Sequence, residues 1–210
     1  MNKFGYRIFR FTTKLRSFFY LYYNRVWFSI IGIKHGKHLI VQDKLYVIGR
    51  GNIFIGNNFI FTSGSCINPI SRNVRGAFYV PNNNSQIIIG NNVGISSSCI
   101  WAKERITIGD NVNIGGDCLI MDNDAHPHNY ILRRMDYWKT EEEDIYLKQI
   151  PTSPIEIGDD VWIGARCQIL KGVHIGPRSI IAAGSVVTND IPADCVAGGN
   201  PCRVIRLLNK

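Results

Sequence analysis

The run Asp122-Asn123-Asp124-Ala125-His126-Pro127-His128-Asn129 gathers the residues best suited to chemistry. Imidazole titrates near neutral pH, so His126, with Asp122 and Asp124 close in sequence, is a candidate general base. Such a base matters most for a weak nucleophile such as an alcohol, which attacks a carbonyl only when its proton has somewhere to go. Such a base also needs a rigid element to hold it still.

That element is a six-residue repeat. From Ile157 onward every sixth residue is aliphatic and β-branched: Ile157, Ile163, Ile169, Ile175, Ile181 and Val187. The position four further on is small or apolar: Val161, Cys167, Val173, Ser179, Ser185 and Ile191. The same phase reads earlier through Ile89, Ile95 and Trp101, and resumes after one extra residue at Ile108, Ile114 and Ile120. A weaker stretch runs through Ile55, Phe61 and Ile67. Neither a helix, at about 3.6, nor an amphipathic strand, at about 2, has this period. A short strand and a corner, repeated, does. The spacing predicts an all-β parallel coil whose inward aliphatics stack from one turn to the next and whose ends need caps. Glycine and asparagine at the corners, as in Gly90-Asn91-Asn92, accept the backbone angles of the bend. In this register Cys99, Cys118 and Cys167 occupy the small fourth position and are expected on one face in successive coils.

Two domains' worth of organisation follows. Residues 1–35 lack the repeat and are expected to be an amphipathic helical segment. Phe4, Ile8, Phe11, Leu15 and Phe18 recur at helical spacing, beside a basic stripe of Lys3, Arg7, Arg10 and Lys14. Capping of the coil is the favoured role, with peripheral contact of residues 1–30 to an anionic membrane face as the alternative. Residues 36–210 form the repeat domain, interrupted by excursions at 71–86 and 127–154. The second carries Arg133, Arg134, Tyr137, Trp138 and an acidic run from Glu141 to Asp144 that reads as a solvated face. Excursions this long in a compact repeat are usually functional.

Composition narrows the classes. With 45% hydrophobic and 19% charged residues the chain is globular rather than disordered. The net charge of +8 gathers in the N-terminal segment and the tail without a nucleic-acid recognition motif, so no nucleic acid is expected. The six cysteines form no CxxC pair or zinc spacing, and no secretory signal is evident, so a reduced cytoplasmic protein is expected. A zinc hydratase on a similar coil would need three histidines on adjacent turns, two of them four residues apart. His126 and His128 are too close and no metal is expected.

From Ile89 to Arg206 the chain resembles the hexapeptide-repeat acetyltransferases, closest to the galactoside and maltose, streptogramin and polysaccharide O-acetyltransferases. Three motifs carry the resemblance: Ala125-His126-Pro127, DDVWIGA over 159–165, and AAGSVVTNDIP over 182–192 continuing into GGNPCRVIR. It implies a left-handed parallel β-helix, a homotrimer, and acetyl-CoA as co-substrate in a groove between subunits. It implies that His126 deprotonates a hydroxyl that attacks the thioester directly, without an acyl-enzyme. Trp162 corresponds to an active-site tryptophan, and on sequence alone would point outward, where an aromatic is unexpected unless an interface covers it. Ala165 corresponds to a position whose main chain lies near the thioester. Ala183, Gly184, Thr188 and Asn189 match the path of pantetheine and nucleotide, and Arg203 and Arg206 match basic residues near the CoA phosphates. Ser96 stands where those sugar enzymes place an acceptor-binding asparagine, and Asp124 is expected beside the acceptor. The expected reaction is acetylation of a hydroxyl on a sugar or cell-surface polysaccharide precursor, at the inner membrane face or in the cytoplasm. N-acetylation of an amino sugar and a non-catalytic scaffold are the alternatives.

Overall fold

The computed structural model describes residues 2–64, 70, 74–134 and 143–208. Helix α1 (Lys3–Ile30) opens the chain, its first turn capped by Asn2, whose Oδ1 accepts from the Gly5 N–H at 2.8 Å. The repeat then winds through three parallel sheets that form the faces of a prism.

The first face stacks β1 (Lys34–His35), β4 (Asn52–Ile55), β7 (Gln86–Ile89), β10 (Arg105–Ile108), β13 (Ile155–Ile157) and β16 (His174–Ile175). The second stacks β2 (Ile40–Gln42), β5 (Ile60–Thr62), β8 (Gly94–Ser96), β11 (Asn113–Ile114), β14 (Trp162–Ile163), β17 (Ile180–Ile181) and β19 (Cys195–Gly198), with β20 (Arg203–Leu207) added antiparallel at the end. The third stacks β3 (Tyr46–Gly49), β6 (Ala77–Val80), β9 (Cys99–Trp101), β12 (Leu119–Met121), β15 (Gln168–Leu170) and β18 (Val186–Val187). This is the parallel β-helix expected from the period, and it is left-handed.

Each face buries at least one ladder of side chains, and the first also buries Ile53, Ile87, Ile106 and Ile155. On the first, Ile55, Ile89, Ile108, Ile157 and Ile175 are in register; on the second, Val41, Phe61, Ile95, Ile114, Ile163, Ile181 and Ala197. All are buried. The corners are tied by side-chain ladders. Asn91 Oδ1 accepts from the Asn57 N–H at 2.9 Å, Asp110 Oδ1 from Asn91 at 2.6 Å, and Asp159 Oδ1 from Asp110 at 2.8 Å. Next to them Asn58, Asn92, Asn111 and Asp160 adopt positive φ between 56° and 59°, which short polar side chains tolerate. Asn and Asp thus serve the corner twice, in backbone angle and in capping an N–H of the preceding coil.

The third face corrects the register. Its inward ladder is Phe78, Ile100, Ile120, Ile169 and Val187, so the inward residue after Ile95 is Ile100 and not Trp101. The step from the second to the third face is five residues there instead of six. Cys99 therefore pairs with Leu119, not Cys118, and faces outward in part, while Ser98 takes the buried corner position. Cys118 and Cys167 keep the expected place in neighbouring coils: Cys99 N–H bonds Cys118 O, and Leu119 N–H bonds Cys167 O. The coil also starts earlier than expected, since Lys34 and His35 already pair with Phe54 and Ile55. The first excursion is shorter than 71–86, because 77–80 form β6 in the third face. Ile67, Tyr137, Trp138, Glu141 and Glu142 lie outside the described residues.

Helix α1 caps the first coil through one face of its C-terminal half. Phe28 is buried in the core. Asn24 Nδ2 donates to Val41 O at 3.2 Å and Asp43 O at 2.8 Å, and Arg16 pairs with Asp43 at 2.6 Å. Capping is thus achieved by half of the helix.

Candidate active site

His126 sits where the chain leaves the third face. Asp122, buried at that exit, accepts the Lys103 N–H at 2.7 Å and the Glu104 N–H at 2.8 Å, which fixes the corner between β9 and β10. The two ends of the second excursion meet in an antiparallel bridge between Asn123 and Thr152, and Ser153 N–H bonds Asp122 O at 2.9 Å. Ala125, at φ 60°, donates its N–H to Asn123 Oδ1 at 2.9 Å. His126 N–H bonds Asp124 O at 2.6 Å. The histidine therefore leaves a tight, pinned turn.

Its ring is held by a residue the spacing does not reveal. His126 Nδ1 lies 2.7 Å from the Tyr146 hydroxyl, which comes from α3 (Glu143–Lys148) inside the excursion. Tyr146 is buried although it stands in a non-repeat segment. Lys103 holds α3 from below: its ammonium donates to Leu147 O and, at 3.2 Å, to Ile150 O. Burial pushes that ammonium below its ordinary titration range, and nearby Asp122 opposes the shift.

Neither carboxylate near His126 in sequence bonds its ring. Asp124 instead receives His128 Nε2 at 2.7 Å on one oxygen and Lys171 Nζ at 2.9 Å on the other. The expected role of Asp124 beside an acceptor thus belongs to a side chain already engaged by His128 and Lys171. Arg133, in α2 (Tyr130–Arg133), donates to Pro127 O at 2.9 Å and His128 O at 2.6 Å and so braces the loop.

His126 opens onto a cavity of about 500 Å³ lined by Tyr79, Pro81, Asn82, Trp101, Lys103, Asn123, Ala125, Tyr146, Leu147 and Ile150. The five-residue step from Ile95 to Ile100 matters here. Because Ile100 takes the core position, Trp101 turns outward beside Tyr79, their ring centroids 5.1 Å apart. Trp101 Nε1 is buried and has no hydrogen-bond partner among the described residues. Ser96 does not line this cavity; its hydroxyl accepts from Thr62 Oγ1 at 3.0 Å on the second face.

A second hollow, about 410 Å³, runs along the edge between the second and third faces. Gly115, Gly116, Trp162, Gly164, Ala165, Ala182 and Ala183 line it with Ile70, Ile180 and Ile181. Small residues are required here by packing. A Cβ on Gly115 would meet Ala165 N at 2.5 Å, and one on Gly164 would meet Ala183 N at 2.6 Å. Trp162 is 56% exposed, a large aromatic in open contact with this groove. Beneath it, Cys118 Sγ donates to Gly164 O at 3.1 Å and Cys167 Sγ to Ala182 O at 3.2 Å. The adjacent Cys167 sulfur and burial push the Cys118 thiol up, which suits a packing role rather than a reactive one.

The structure thus brings Trp162, Ala165 and Ala183 together. Gly184, at φ 75°, continues the same corner and donates its N–H to Ala165 O at 2.9 Å. Thr188 donates to Asn189 Oδ1 at 2.9 Å. Asn189 and Arg203 share a third hollow of about 320 Å³ at the end of the coil, while Arg206 lies further along β20 and does not line it. The His126 cavity and the Trp162 groove share no lining residue and open at different edges of the prism.

Residues 154–189 match the family described as bacterial transferase hexapeptide (six repeats), and residues 105–120 match the hexapeptide repeat of succinyl-transferase. The galactoside O-acetyltransferase of Escherichia coli K12 is 59% identical over 56 residues, 27% of this chain and 28% of that protein. A 2,3,4,5-tetrahydropyridine-2,6-dicarboxylate N-acetyltransferase of Staphylococcus aureus is 54% identical over 54 residues, 26% of this chain and 23% of that one. The matched part thus spans less than a third of these curated relatives. Among solved structures, a galactoside acetyltransferase in complex with coenzyme A superposes with a TM-score of 0.51 at 29% identity, over 86% of this chain and 69% of that one. Among the described residues no cluster of side chains is suited to a metal ion.

Proposed function

We propose that this chain, a hexapeptide-repeat protein of the acetyltransferase family, moves an acetyl group from acetyl-CoA to a hydroxyl of a sugar or a cell-surface polysaccharide precursor. The observation that carries the reading is the His126–Tyr146 pair lining a cavity of about 500 Å³. As a base, His126 takes the tautomer whose Nδ1–H donates to the Tyr146 oxygen, leaving the Nε2 lone pair for the acceptor proton. The acceptor oxygen bonds to the thioester carbonyl carbon as Nε2 takes its proton. Backbone N–H groups at a coil corner are the donors available to the resulting oxyanion. Collapse breaks the carbon–sulfur bond and expels the CoA thiolate, which recovers the proton from the imidazolium. No acyl-enzyme forms.

The donor fits the Trp162 groove, whose glycines and alanines let a ligand lie against the backbone, and the relative solved with coenzyme A supports this assignment. Because groove and histidine belong to different edges of one chain, the reading calls for a homotrimer in which His126 of one subunit serves the groove of the next. The acceptor fits the His126 cavity. Tyr79 and Trp101 offer an aromatic wall for a sugar ring, and the Trp101 N–H, without a partner among the described residues, offers a donor for one of its oxygens. An amino acceptor is the second reading, favoured by the N-acetyltransferase relative; its product would resist alkaline hydroxylamine, whereas an O-acetyl ester would not.

Subunit complementation tests the shared site. His126→Ala removes the base and Ala183→Trp obstructs the groove, so at acetyl-CoA well below the wild-type KM each homo-oligomer should run far below the wild-type rate. Mixed oligomers formed by co-expression should recover part of the wild-type rate with labelled acetyl-CoA, since some interfaces carry both intact halves. Failure of mixed oligomers to exceed either parent would defeat the intersubunit reading.

A further inference from the structure

Helix α1 uses one face to dock and leaves the opposite face unpartnered. The docked face carries Asn24 and Phe28, with Arg16 at its edge. At 100° per residue the opposite side carries Phe4, Ile8, Phe11, Leu15, Phe18, Tyr22, Val26 and Ile30, spaced three or four apart along the whole helix. These eight are between 49% and 72% exposed. A continuous apolar stripe about 39 Å long, read from the 1.5 Å rise, is far more than the scattered apolar exposure of an ordinary surface.

Charge decides what covers it. Lys3, Arg7, Arg10 and Lys14 run along one flank of the stripe, Arg25 continues that flank, and the helix contains no Asp or Glu. A second copy of the same helix would bring like charges together, while an anionic surface would match them. The helix is no membrane span: among the described residues none is long and apolar enough to cross one. Its aromatics complete the picture, since Phe, Tyr and Trp side chains favour the boundary between headgroups and acyl chains.

We infer that α1 is an interfacial anchor, laying the stripe from Phe4 to Ile30 into the surface of a bilayer rich in anionic lipid while its docked face holds the β-helix alongside. The anchor positions the enzyme and takes no part in transfer. Each basic residue near such a surface is worth roughly a fivefold gain in partitioning, and the gain shrinks as salt screens it.

Vesicle co-sedimentation of the full chain tests this. Vesicles of phosphatidylcholine with a third phosphatidylglycerol should bind the protein at least about tenfold better than phosphatidylcholine alone, and 0.5 M salt should erase most of the difference. Phe11→Ser with Phe18→Ser should cut binding at least about tenfold, and Arg7→Glu with Arg10→Glu should do the same for anionic vesicles only. Both variants should keep wild-type oligomer mass and acetyl-transfer rate on a soluble acceptor. Equal binding to both vesicle types, or none to either, would overturn the inference. So would a Phe11/Phe18 variant that falls to a smaller oligomer, which would make the stripe a subunit contact.

Discussion

The Trp162 groove and the His126 cavity are built by opposite means. In the groove every lining residue from Gly115 to Ala183 sits on a coil position, and its place is set by backbone pairing, such as Ile114 on Ile163 and Ile163 on Ile181. In the cavity the coil supplies Tyr79, Trp101 and Lys103, but the residues that finish it, Tyr146, Leu147 and Ile150, arrive from the excursion. They are held by side-chain bonds rather than by a sheet ladder. A groove made by backbone register resists single side-chain changes unless they fill it. A cavity closed by side chains is sensitive to the loss of each one.

Replacing His126 by Ala breaks the comparison most sharply. Turnover with acetyl-CoA should fall at least about 10²-fold, the usual share of a positioned base, while the affinity for CoA is unchanged. Ala183→Trp should do the reverse, raising KM for acetyl-CoA at least about tenfold by filling the groove, with the fold kept because Ala183 is exposed at its corner. Steady-state kinetics with CoA titration measures both. A His126→Ala enzyme with an unchanged rate would remove the base from the mechanism.

Tyr146→Phe probes the side-chain construction alone. The ring still fills the space under α3, but Nδ1 of His126 loses its 2.7 Å partner. One hydrogen bond of this kind contributes about 1 kcal/mol net, so kcat should drop about fivefold with KM for acetyl-CoA unmoved. Here Tyr146 is a positioning residue. A rise in KM with constant kcat would instead mean that its hydroxyl binds substrate.

The same contrast explains how much the sequence alone discloses. Ile157 through Val187 are legible because a six-residue period survives translation into a ladder, and all six are buried as expected. Ala165 and Ala183 were legible through the family resemblance and not through the spacing, and both line the same hollow. Trp101 misleads because Ile100 and Trp101 are adjacent apolar candidates; a five-residue step from the second to the third face shifts the phase, and only pairing with Ile120 and Met121 decides between them. Tyr146 is invisible for another reason. It lies twenty residues from His126 in a segment with no period, and nothing in its spacing separates a buried positioning tyrosine from a surface one. Helix α1 was legible as amphipathic, but not that it would bury one face and leave the opposite stripe bare.

Trp101→Phe carries the smallest expected effect and the most specific one. Phenylalanine keeps an aromatic wall beside Tyr79 and removes the indole N–H that has no partner in the described structure. If an acceptor oxygen takes that N–H, KM for the acceptor should rise about fivefold, the value of one neutral hydrogen bond, with KM for acetyl-CoA unchanged. Thermal stability should hold or improve slightly, because a buried donor without a partner costs the free enzyme something that phenylalanine does not. The two responses together separate a ligand-facing N–H from a packing defect. A packing defect would leave the acceptor KM where it was and move only the melting temperature.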